Sequence, residues 1–268
     1  MLYLIKFGGS AISDGRDLSR ICSEISEMKK SGASVIAVHG GGPEISRETE
    51  RLGLKPEKIN GVRVTDADVL EVASGVLKKI NGRVCGYMEE AGVRPEGMGA
   101  FECTLCRNMG PVTYTEDGMK KTADYGLVGE VVSVKTEKLS EILDSGKVPV
   151  IYPIGSDGKT KLNVNADTMA AGIAAGMKCD EMIAVTDVPG VLRDVKDPSS
   201  KFDTLTKKEI LALIEDGTIS GGMIPKVEAC IKAVEAGAKA VRMVNGKDPD
   251  NIFSDVAGGK VKGTLITG

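Results

Sequence analysis

Two lysines occupy positions that are unfavourable for a cation, one in a predicted buried strand and one in the first turn of a predicted helix. Lys6 lies near the end of a short apolar run, residues 2–7, that predicts a buried strand, so its amine needs an anionic partner or access to water. Lys226 falls in the first turn of a predicted helix that follows Gly221 and Gly222, where the helix dipole disfavours cations. A bound anion would explain both positions. A solvated lysine stays an alternative for Lys226, because a surface dipole costs only about 0.3 to 1 kcal/mol.

Glycine-bearing loops follow directly on three predicted strands. Glycines let backbone N–H groups approach phosphate oxygens closely, and a helix that begins after such a loop adds positive potential. Neither GxGxxG nor GxxxxGK[ST] occurs, so the dinucleotide-binding and P-loop fingerprints are absent. Each loop alone could be a tight turn without a ligand. The loops read Lys6-Phe7-Gly8-Gly9-Ser10, His39-Gly40-Gly41-Gly42-Pro43 and Thr186-Asp187-Val188-Pro189-Gly190.

A polar cluster, Asn163-Val164-Asn165-Ala166-Asp167, marks a predicted helix start. Asparagine and aspartate serve as helix caps, which explains one of these residues but not three at alternate positions. The others could reach a substrate or hold the lysines in place, and Asp167 is the acidic residue of the set. The only histidine, His39, is better interpreted as a hydrogen-bonded structural residue than as a catalytic base.

Strands and helices alternate along most of the chain, which predicts an open α/β sheet with helices on both faces and ligands at the carboxyl ends of its strands. An antiparallel flap is expected within 112–134, and a lobe boundary near residue 176. The predicted strands are 2–7, 35–38, 148–152, 182–186 and 240–244. The predicted helices are 16–30, 43–52, 67–91, 138–144, 166–175, 207–215 and 224–236.

Composition narrows the function classes. The 268 residues are 41% hydrophobic and 27% charged with a formal charge of −3, which is typical of a folded globular protein and unlike a nucleic-acid-binding surface. No apolar run approaches the roughly 18 residues that span a bilayer, so we expect no membrane association and a cytoplasmic protein. The six cysteines are dispersed and expected to be reduced. A metal or redox role for Cys103 and Cys106 is disfavoured, because no second cysteine pair has matching spacing.

Six motifs, in order from Lys6 to Val227, resemble those of the amino-acid kinase superfamily and, within it, of the acetylglutamate kinases. The resemblance implies a two-lobed, three-layer α/β/α fold with an open, mainly parallel sheet. Residues 1–176 would bind the acyl acceptor and form a dimer, and residues 177–268 would bind ATP. The motifs are Lys6-Phe7-Gly8-Gly9, His39-Gly40-Gly41-Gly42-Pro43, Gly61-Val62-Arg63-Val64-Thr65-Asp66, Asn163-Val164-Asn165-Ala166-Asp167, Thr186-Asp187-Val188-Pro189-Gly190-Val191 and Gly221-Gly222-Met223-Ile224-Pro225-Lys226-Val227.

The activity that the resemblance implies is ATP-dependent phosphorylation of the side-chain carboxylate of N-acetyl-L-glutamate, in arginine biosynthesis. Mg²⁺ would be carried by the ATP phosphates, without a protein metal site. The implied catalytic residues are Lys6 and Lys226, which stabilise the phosphoryl group, and Asp167, which orients both lysines. The implied acceptor-binding residues are Gly41, Gly42, Arg63 and Asn163, and the nucleotide loops contain Gly8, Gly9, Thr186 and Asp187.

Two segments depart from the superfamily pattern. Residues 97–106 differ from a common glycine-rich stretch that contributes to the acceptor pocket wall, and Asn245-Gly246-Lys247-Asp248-Pro249 replaces a common Asp-Gly-Arg, so no roles are assigned there. Two alternatives stay open. One is a kinase for a related carboxylate, such as carrier-protein-linked aminoadipate or glutamate, and the other is a non-catalytic amino-acid or nucleotide sensor on the same fold.

The assembly expectation comes from the start of the chain. Arginine-inhibited members of the resembled family carry an extra N-terminal helix that links dimers into hexamers, whereas here Lys6 already lies in the first predicted strand. We therefore expect a homodimer, the commonest symmetric oligomer, and an activity insensitive to arginine.

Overall fold

The computed structural model describes residues 1–59, 61–116, 119–247 and 262–268. The first elements are β1 (Leu2–Phe7), α1 (Ser10–Ser13), α2 (Gly15–Lys30), β2 (Ser34–His39), α3 (Gly42–Arg51), β3 (Lys58–Ile59), β4 (Val62–Arg63), α4 (Ala67–Glu90) and β5 (Pro95–Gly99). Next come α5 (Ala100–Cys103), β6 (Thr104–Asn108), β7 (Pro111–Glu116), β8 (Met119–Asp124), β9 (Val128–Val134), α6 (Thr136–Asp144), β10 (Val148–Tyr152), β11 (Ile154–Ser156), β12 (Lys161–Val164) and α7 (Ala166–Gly176). The last are β13 (Glu181–Thr186), a 3₁₀ turn (Pro198–Ser200), β14 (Thr204–Thr206), α8 (Lys207–Glu215), α9 (Met223–Glu235), β15 (Val241–Asn245) and β16 (Thr264–Thr267).

The central sheet contains eight strands among the described residues, in the order β14-β16-β15-β13-β1-β2-β10-β5. Its pairs are parallel except for β15 with β16. The predicted open, mainly parallel α/β sheet is therefore confirmed. The strands that the sequence analysis missed include β5 and β16, at or near the sheet edges. Proline and two glycines in β5 weaken the strand pattern, as is common for an edge strand.

Alternation along β1 separates two helical layers. Tyr3, Ile5 and Phe7 belong to a buried cluster with α2 and α4, whereas Leu4 belongs to a second cluster with α6, α7 and α9. Because side chains alternate between the faces of a strand, Lys6 shares the face of Leu4 and points toward the layer of α7 and α9. The apolar alternation of one strand thus decides which helices can supply a partner for the lysine.

Smaller β elements cover one side of the central sheet's carboxyl end. A second sheet has the order β11-β12-β9-β6, β7 pairs with β8 in an antiparallel hairpin, and β3 pairs with β4. Strands β3 and β4 form a short ribbon, whose residues Ile59 and Val62 pack with Ala123, Tyr125 and Val128 near the hairpin. The antiparallel flap expected within 112–134 is confirmed. In the described part of the chain, no helix is long and apolar enough to cross a membrane.

His39, at the end of β2, is a structural residue in this fold. Its side chain is fully buried, and its Nδ1 lies 2.8 Å from the carbonyl oxygen of Gly40, to which it donates a hydrogen bond. The other ring nitrogen, Nε2, accepts from Asn81 Nδ2 at 3.1 Å, and Asn81 also donates to Val150 O at 2.9 Å. Burial lowers the pKa of His39 to about 4. The imidazole is therefore neutral and both its nitrogens are occupied, in agreement with the interpretation from sequence.

The neutral state of His39 predicts a pH dependence of stability. An unfolded histidine binds a proton below about pH 6.5, whereas the folded one does so only near pH 4. The contribution to the free energy of unfolding is then complete above about pH 6.5 and is lost as the pH falls through 4. The free energy of unfolding, measured with urea at several pH values between 4 and 7, should fall more steeply with decreasing pH for the wild type than for His39→Gln. NMR titration of this single histidine gives a direct check, and a midpoint near 6.5 would contradict the prediction.

Candidate active site

The carboxyl ends of β1, β2 and β13 lie side by side, and the three predicted glycine loops meet there. Two cavities open at this edge, with volumes of about 220 and 400 Å³. Both are lined by Lys6, Gly8, Gly9 and Asp167. The smaller one extends toward β4 and the start of α3, and we name it the acceptor-side cavity after the role that the sequence analysis expects of Arg63 and Asn163. The larger one, the α9-side cavity, extends toward α9. These four shared residues form the point where ligands in the two cavities could touch.

Lys6 and Asp167 form an ion pair at this junction. Lys6 Nζ lies 2.7 Å from Asp167 Oδ1, and the lysine side chain is 16% exposed. Asp167 is held in the first turn of α7 because Asn165 caps this helix, with Oδ1 accepting from the backbone N–H of Asp167 at 2.8 Å and of Thr168 at 3.1 Å. The anionic partner that the position of Lys6 required is therefore a residue of the chain, and the asparagine attributed to capping is Asn165.

Lys226 has a different carboxylate partner. It lies one turn into α9 and donates a hydrogen bond to Asp187, which follows β13. This bond is the main cause of a lowered pKa of Asp187. Asp187 supplies the negative charge that the misplaced cation suggested. In the described contacts Asp167 pairs with Lys6 and Asp187 with Lys226, so a role of Asp167 in orienting Lys226 stays a prediction.

Arg63, on β4, is a buried cation of the acceptor-side cavity with no carboxylate partner among the described residues. Its side chain is 7% exposed, and burial lowers its pKa. The Nη2 atom donates to Gly42 O at 3.0 Å and to Ser46 Oγ at 2.8 Å. The Nη1 atom is buried without a hydrogen-bond partner, and no described carboxylate lies within ion-pair distance of the guanidinium. A buried cation with unused donors is costly alone, so this half of the fork is suited to a ligand anion.

Two of the glycine loops pack backbone to backbone. A Cβ built on Gly8 would lie 3.5 Å from Gly40 Cα, and Gly9 has a φ of +57°, a conformation that favours glycine. Gly41 precedes α3, and a Cβ there would lie 2.5 Å from Ile80 Cδ1. A Cβ on Gly8 would therefore be in ordinary van der Waals contact with Gly40, whereas one on Gly41 would require the Ile80 side chain on α4 to move. The glycines therefore bring backbone N–H groups and the start of α3 up to the cavity edge.

Asn163 lies on β12 beside the acceptor-side cavity. Its Nδ2 donates to Thr65 Oγ1 at 3.1 Å, and Thr65, the second residue after β4, is fully buried. The structure thus brings together Arg63 and Asn163, which are 100 positions apart in the chain. The sequence analysis missed Thr65 and Ser46 as partners of these two residues. Ser46 could have been found from its spacing, because a residue one helical turn after Gly42 lies on the same face of α3.

The walls of the two cavities differ in polarity. The α9-side cavity has an apolar lining that includes Met182, Ala184 and Met243, together with Thr186 and Gly222 near its edge. The acceptor-side cavity has its apolar wall from Ile45, Val62, Leu77, Val128 and Pro153. No residue of the divergent segment 97–106 lines either cavity among the described residues. Phe101 of this segment nevertheless packs in one cluster with Ile45 and Leu77, so the segment supports the acceptor-side wall from behind without lining the cavity.

The cysteines of the divergent segment are packing residues. Cys103 and Cys106 are buried, and burial raises the pKa of both thiols, that of Cys103 to about 12. A Cβ on Gly155 would lie 2.4 Å from Cys106 Sγ, so β11 packs closely against this thiol. In the ranges that the structure describes, no group of three histidine, cysteine or acidic residues could hold a metal ion.

The second divergent segment is described in part. The backbone N–H of Lys247 donates to Asn245 Oδ1 at 3.0 Å, which closes a turn after β15. Asp248 and Pro249 lie outside the described residues. No contact with a ligand is assigned to this segment.

The fold and this site match a known protein family. The model of the amino acid kinase family matches residues 1–245, and the chain belongs to that family. An acetylglutamate kinase of Methanocaldococcus jannaschii is 37% identical over 99% of this chain and 90% of its own length. An acetylglutamate kinase of Methanococcus maripaludis is 40% identical over 98% of this chain and 90% of its own length. Among solved structures, smu.665 of Streptococcus mutans UA159 superposes with a TM-score of 0.74 at 28% identity, covering 99% of this chain and 98% of that one.

Proposed function

We propose that this chain transfers the γ-phosphoryl group of ATP to the side-chain carboxylate of N-acetyl-L-glutamate, in arginine biosynthesis. The observation that carries the proposal is the junction of two cavities at Lys6 and Asp167, because direct phosphoryl transfer needs two substrates in contact. The likeness to acetylglutamate kinases over nearly the full chain supports the choice of acceptor.

The acceptor would bind in the acceptor-side cavity. Arg63 would receive its α-carboxylate, since the buried Nη1 has donors to spare and a guanidinium suits a planar carboxylate. Asn163 would contact the same carboxylate, and the apolar wall with Ile45 and Leu77 would exclude water around the aliphatic part of the molecule. The distal carboxylate would then extend toward Lys6, at the cavity junction.

ATP would bind in the α9-side cavity, whose larger volume suits a nucleotide. Thr186 and Asp187 would border it, with Gly8 and Gly9 near the phosphates. In this arrangement residues 1–176 would bind the acceptor and residues 177–268 most of the nucleotide, with Lys6, Gly8, Gly9 and Asp167 shared between the two sides. Magnesium would be carried by the ATP phosphates, where it would neutralise phosphate charge.

Phosphoryl transfer would depend on charge neutralisation and alignment rather than on a base. A glutamate-type carboxyl has an ordinary pKa of about 4.3, so the acceptor is already an anionic nucleophile at neutral pH. His39 is buried, neutral and hydrogen-bonded at both nitrogens, which fits a reaction without a protein base. Lys6 and Lys226 would stabilise the charge on the transferring group from two sides, and backbone N–H groups of Gly41 and Gly42 would add donors.

We further propose that this enzyme is a homodimer located in the cytoplasm. The homodimer would form through residues 1–176, and a C2 dimer is the commonest symmetric oligomer. A biosynthetic enzyme that uses ATP and small metabolites is expected in the cytoplasm. Light scattering of the purified protein measures the mass that decides between monomer, dimer and hexamer.

The function is tested with a coupled ATPase assay across N-acetylglutamate, glutamate, aspartate and N-acetylaminoadipate. Hydroxylamine traps the acyl phosphate as a hydroxamate, which separates acceptor phosphorylation from idle ATP hydrolysis. We expect N-acetylglutamate to give the highest kcat/KM. Preference for another carboxylate would favour a related kinase, and binding without turnover would favour a sensor.

The two lysines predict a loss of catalysis rather than of binding. Lys6→Ala and Lys226→Ala should each lower kcat at least about a hundredfold, because each removes a preorganised positive group from the transition state. KM values for both substrates should change much less. Lys30→Ala, which removes an exposed lysine paired with Glu27 far along α2, is the matched control. Near-normal kcat in a folded Lys6 or Lys226 variant would refute the assignment.

Arg63 predicts a defect confined to the acceptor. Arg63 uses Nη2 to bond Gly42 and Ser46, which leaves Nη1 for a ligand. Arg63→Lys keeps the charge but has a single nitrogen, so it loses this planar fork. We expect KM for N-acetylglutamate to rise about tenfold or more while KM for ATP stays nearly unchanged. Steady-state kinetics with each substrate varied in turn measure this split. A defect specific to ATP would place Arg63 on the wrong side of the junction.

A further inference from the structure

Thr65 belongs to the motif that contains Arg63, yet it lines neither cavity. The residue is fully buried and lies two positions after the end of β4. Its hydroxyl donates to the carbonyl oxygen of Arg63 at 2.9 Å and accepts from Asn163 Nδ2 at 3.1 Å. A threonine hydroxyl has one proton, and the Arg63 carbonyl can only accept, so the direction of both bonds is fixed. Asn163 must then present its NH₂ group, not its carbonyl oxygen, to Thr65.

Backbone bonds hold Thr65 in the same place. Its N–H donates to Tyr125 O at 2.9 Å, and its carbonyl oxygen accepts from Leu127 N at 2.7 Å. The Leu127 carbonyl oxygen in turn accepts from Asn163 N at 2.9 Å. Thr65, Leu127 and Asn163 therefore form a closed ring of hydrogen bonds, with the side-chain bond from Asn163 to Thr65 completing it. The fit is close, because a Cβ on Gly126 would lie 2.5 Å from Thr65 O.

We propose that Thr65 is a positioning residue for the acceptor, which acts through Arg63 and Asn163 without touching the substrate. The inference rests on the proposed function, in which these two residues bind the acceptor. In the part of the chain that the structure describes, strands β3 and β4 are two residues long and pair only with each other, so Arg63 is not fixed by pairing with the central sheet. The Thr65 hydroxyl links this short ribbon to β12, and it fixes the orientation of the Asn163 amide at the same time.

Two pairs of variants isolate the hydroxyl. Thr65→Val replaces the hydroxyl with a methyl group of similar size, and Thr65→Ala differs from Thr65→Ser by the hydroxyl alone. Thr104→Val is the matched control, because Thr104 is also buried and its hydroxyl bonds Ala100 O at 2.8 Å, in a segment that lines neither cavity. The acceptor used throughout is the one that the wild type phosphorylates best.

We expect Thr65→Val to raise KM for the acceptor about tenfold, with kcat and KM for ATP within about twofold of the wild type, as for lost substrate positioning. Thr65→Ser should stay near the wild type, and Thr65→Ala should resemble Thr65→Val. If Thr65→Val does not fold, the serine and alanine variants decide the question. In a double-mutant cycle with Asn163→Ala, the KM effects should be less than multiplicative, because one residue acts through the other.

Three results would overturn the inference. They are an equal KM change in Thr104→Val, a change shared by kcat and KM for ATP, and a serine variant as defective as the alanine variant. Failure of the proposed function is a separate result, seen in the wild type as preference for another acceptor. The Thr65 variants are then judged with that acceptor, and a wild type that phosphorylates no carboxylate overturns both proposals.

Discussion

The ion pair between Lys6 and Asp167 is the contact on which the site depends. It joins the central strand β1 to the first turn of α7, and both cavities include it. Lys6, 16% exposed at the end of a buried strand, is held in place by a nearby carboxylate, and Asn165 fixes that carboxylate through the helix cap. The remaining loops are arranged around a cation whose position is determined by strand, helix and cap together.

Charge balance distinguishes the two substrate sides. At the junction and in the α9-side cavity each lysine has a carboxylate partner, Asp167 for Lys6 and Asp187 for Lys226. Such pairs keep a cation in a defined place while its amine can still turn toward a more highly charged group such as a phosphate. Arg63 is different, because it is buried with backbone and hydroxyl acceptors and no described carboxylate. The missing charge is best supplied by a ligand.

The sequence predicted the parts of the fold that depend on local periodicity. Strands β1 and β10 and helix α8 have their predicted bounds, and the loops with Gly8 and Gly41 lie where strand order places them. Elements fixed by tertiary pairing were missed, among them β5, β12 and β16, because their short polar or glycine-containing runs carry little pattern. The pairing of Lys226 with Asp187 was missed because the two residues are 39 positions apart, and no local pattern links them. The sequence analysis included Thr65 in a motif but assigned it no role.

The two halves of the site are built from elements of different kinds. Lys6 and the loop after β13 belong to strands of the central sheet, which eight strands and two helical layers hold rigid. Arg63 and Asn163 belong to short strands outside that sheet, whose alignment depends on a few hydrogen bonds such as those of Thr65. Because the acceptor wall is attached separately from the phosphoryl-transfer centre, substitutions in the wall can occur without moving the lysines of that centre. Acceptor identity should therefore be encoded mainly in these small β elements, and the capacity for phosphoryl transfer in the central sheet.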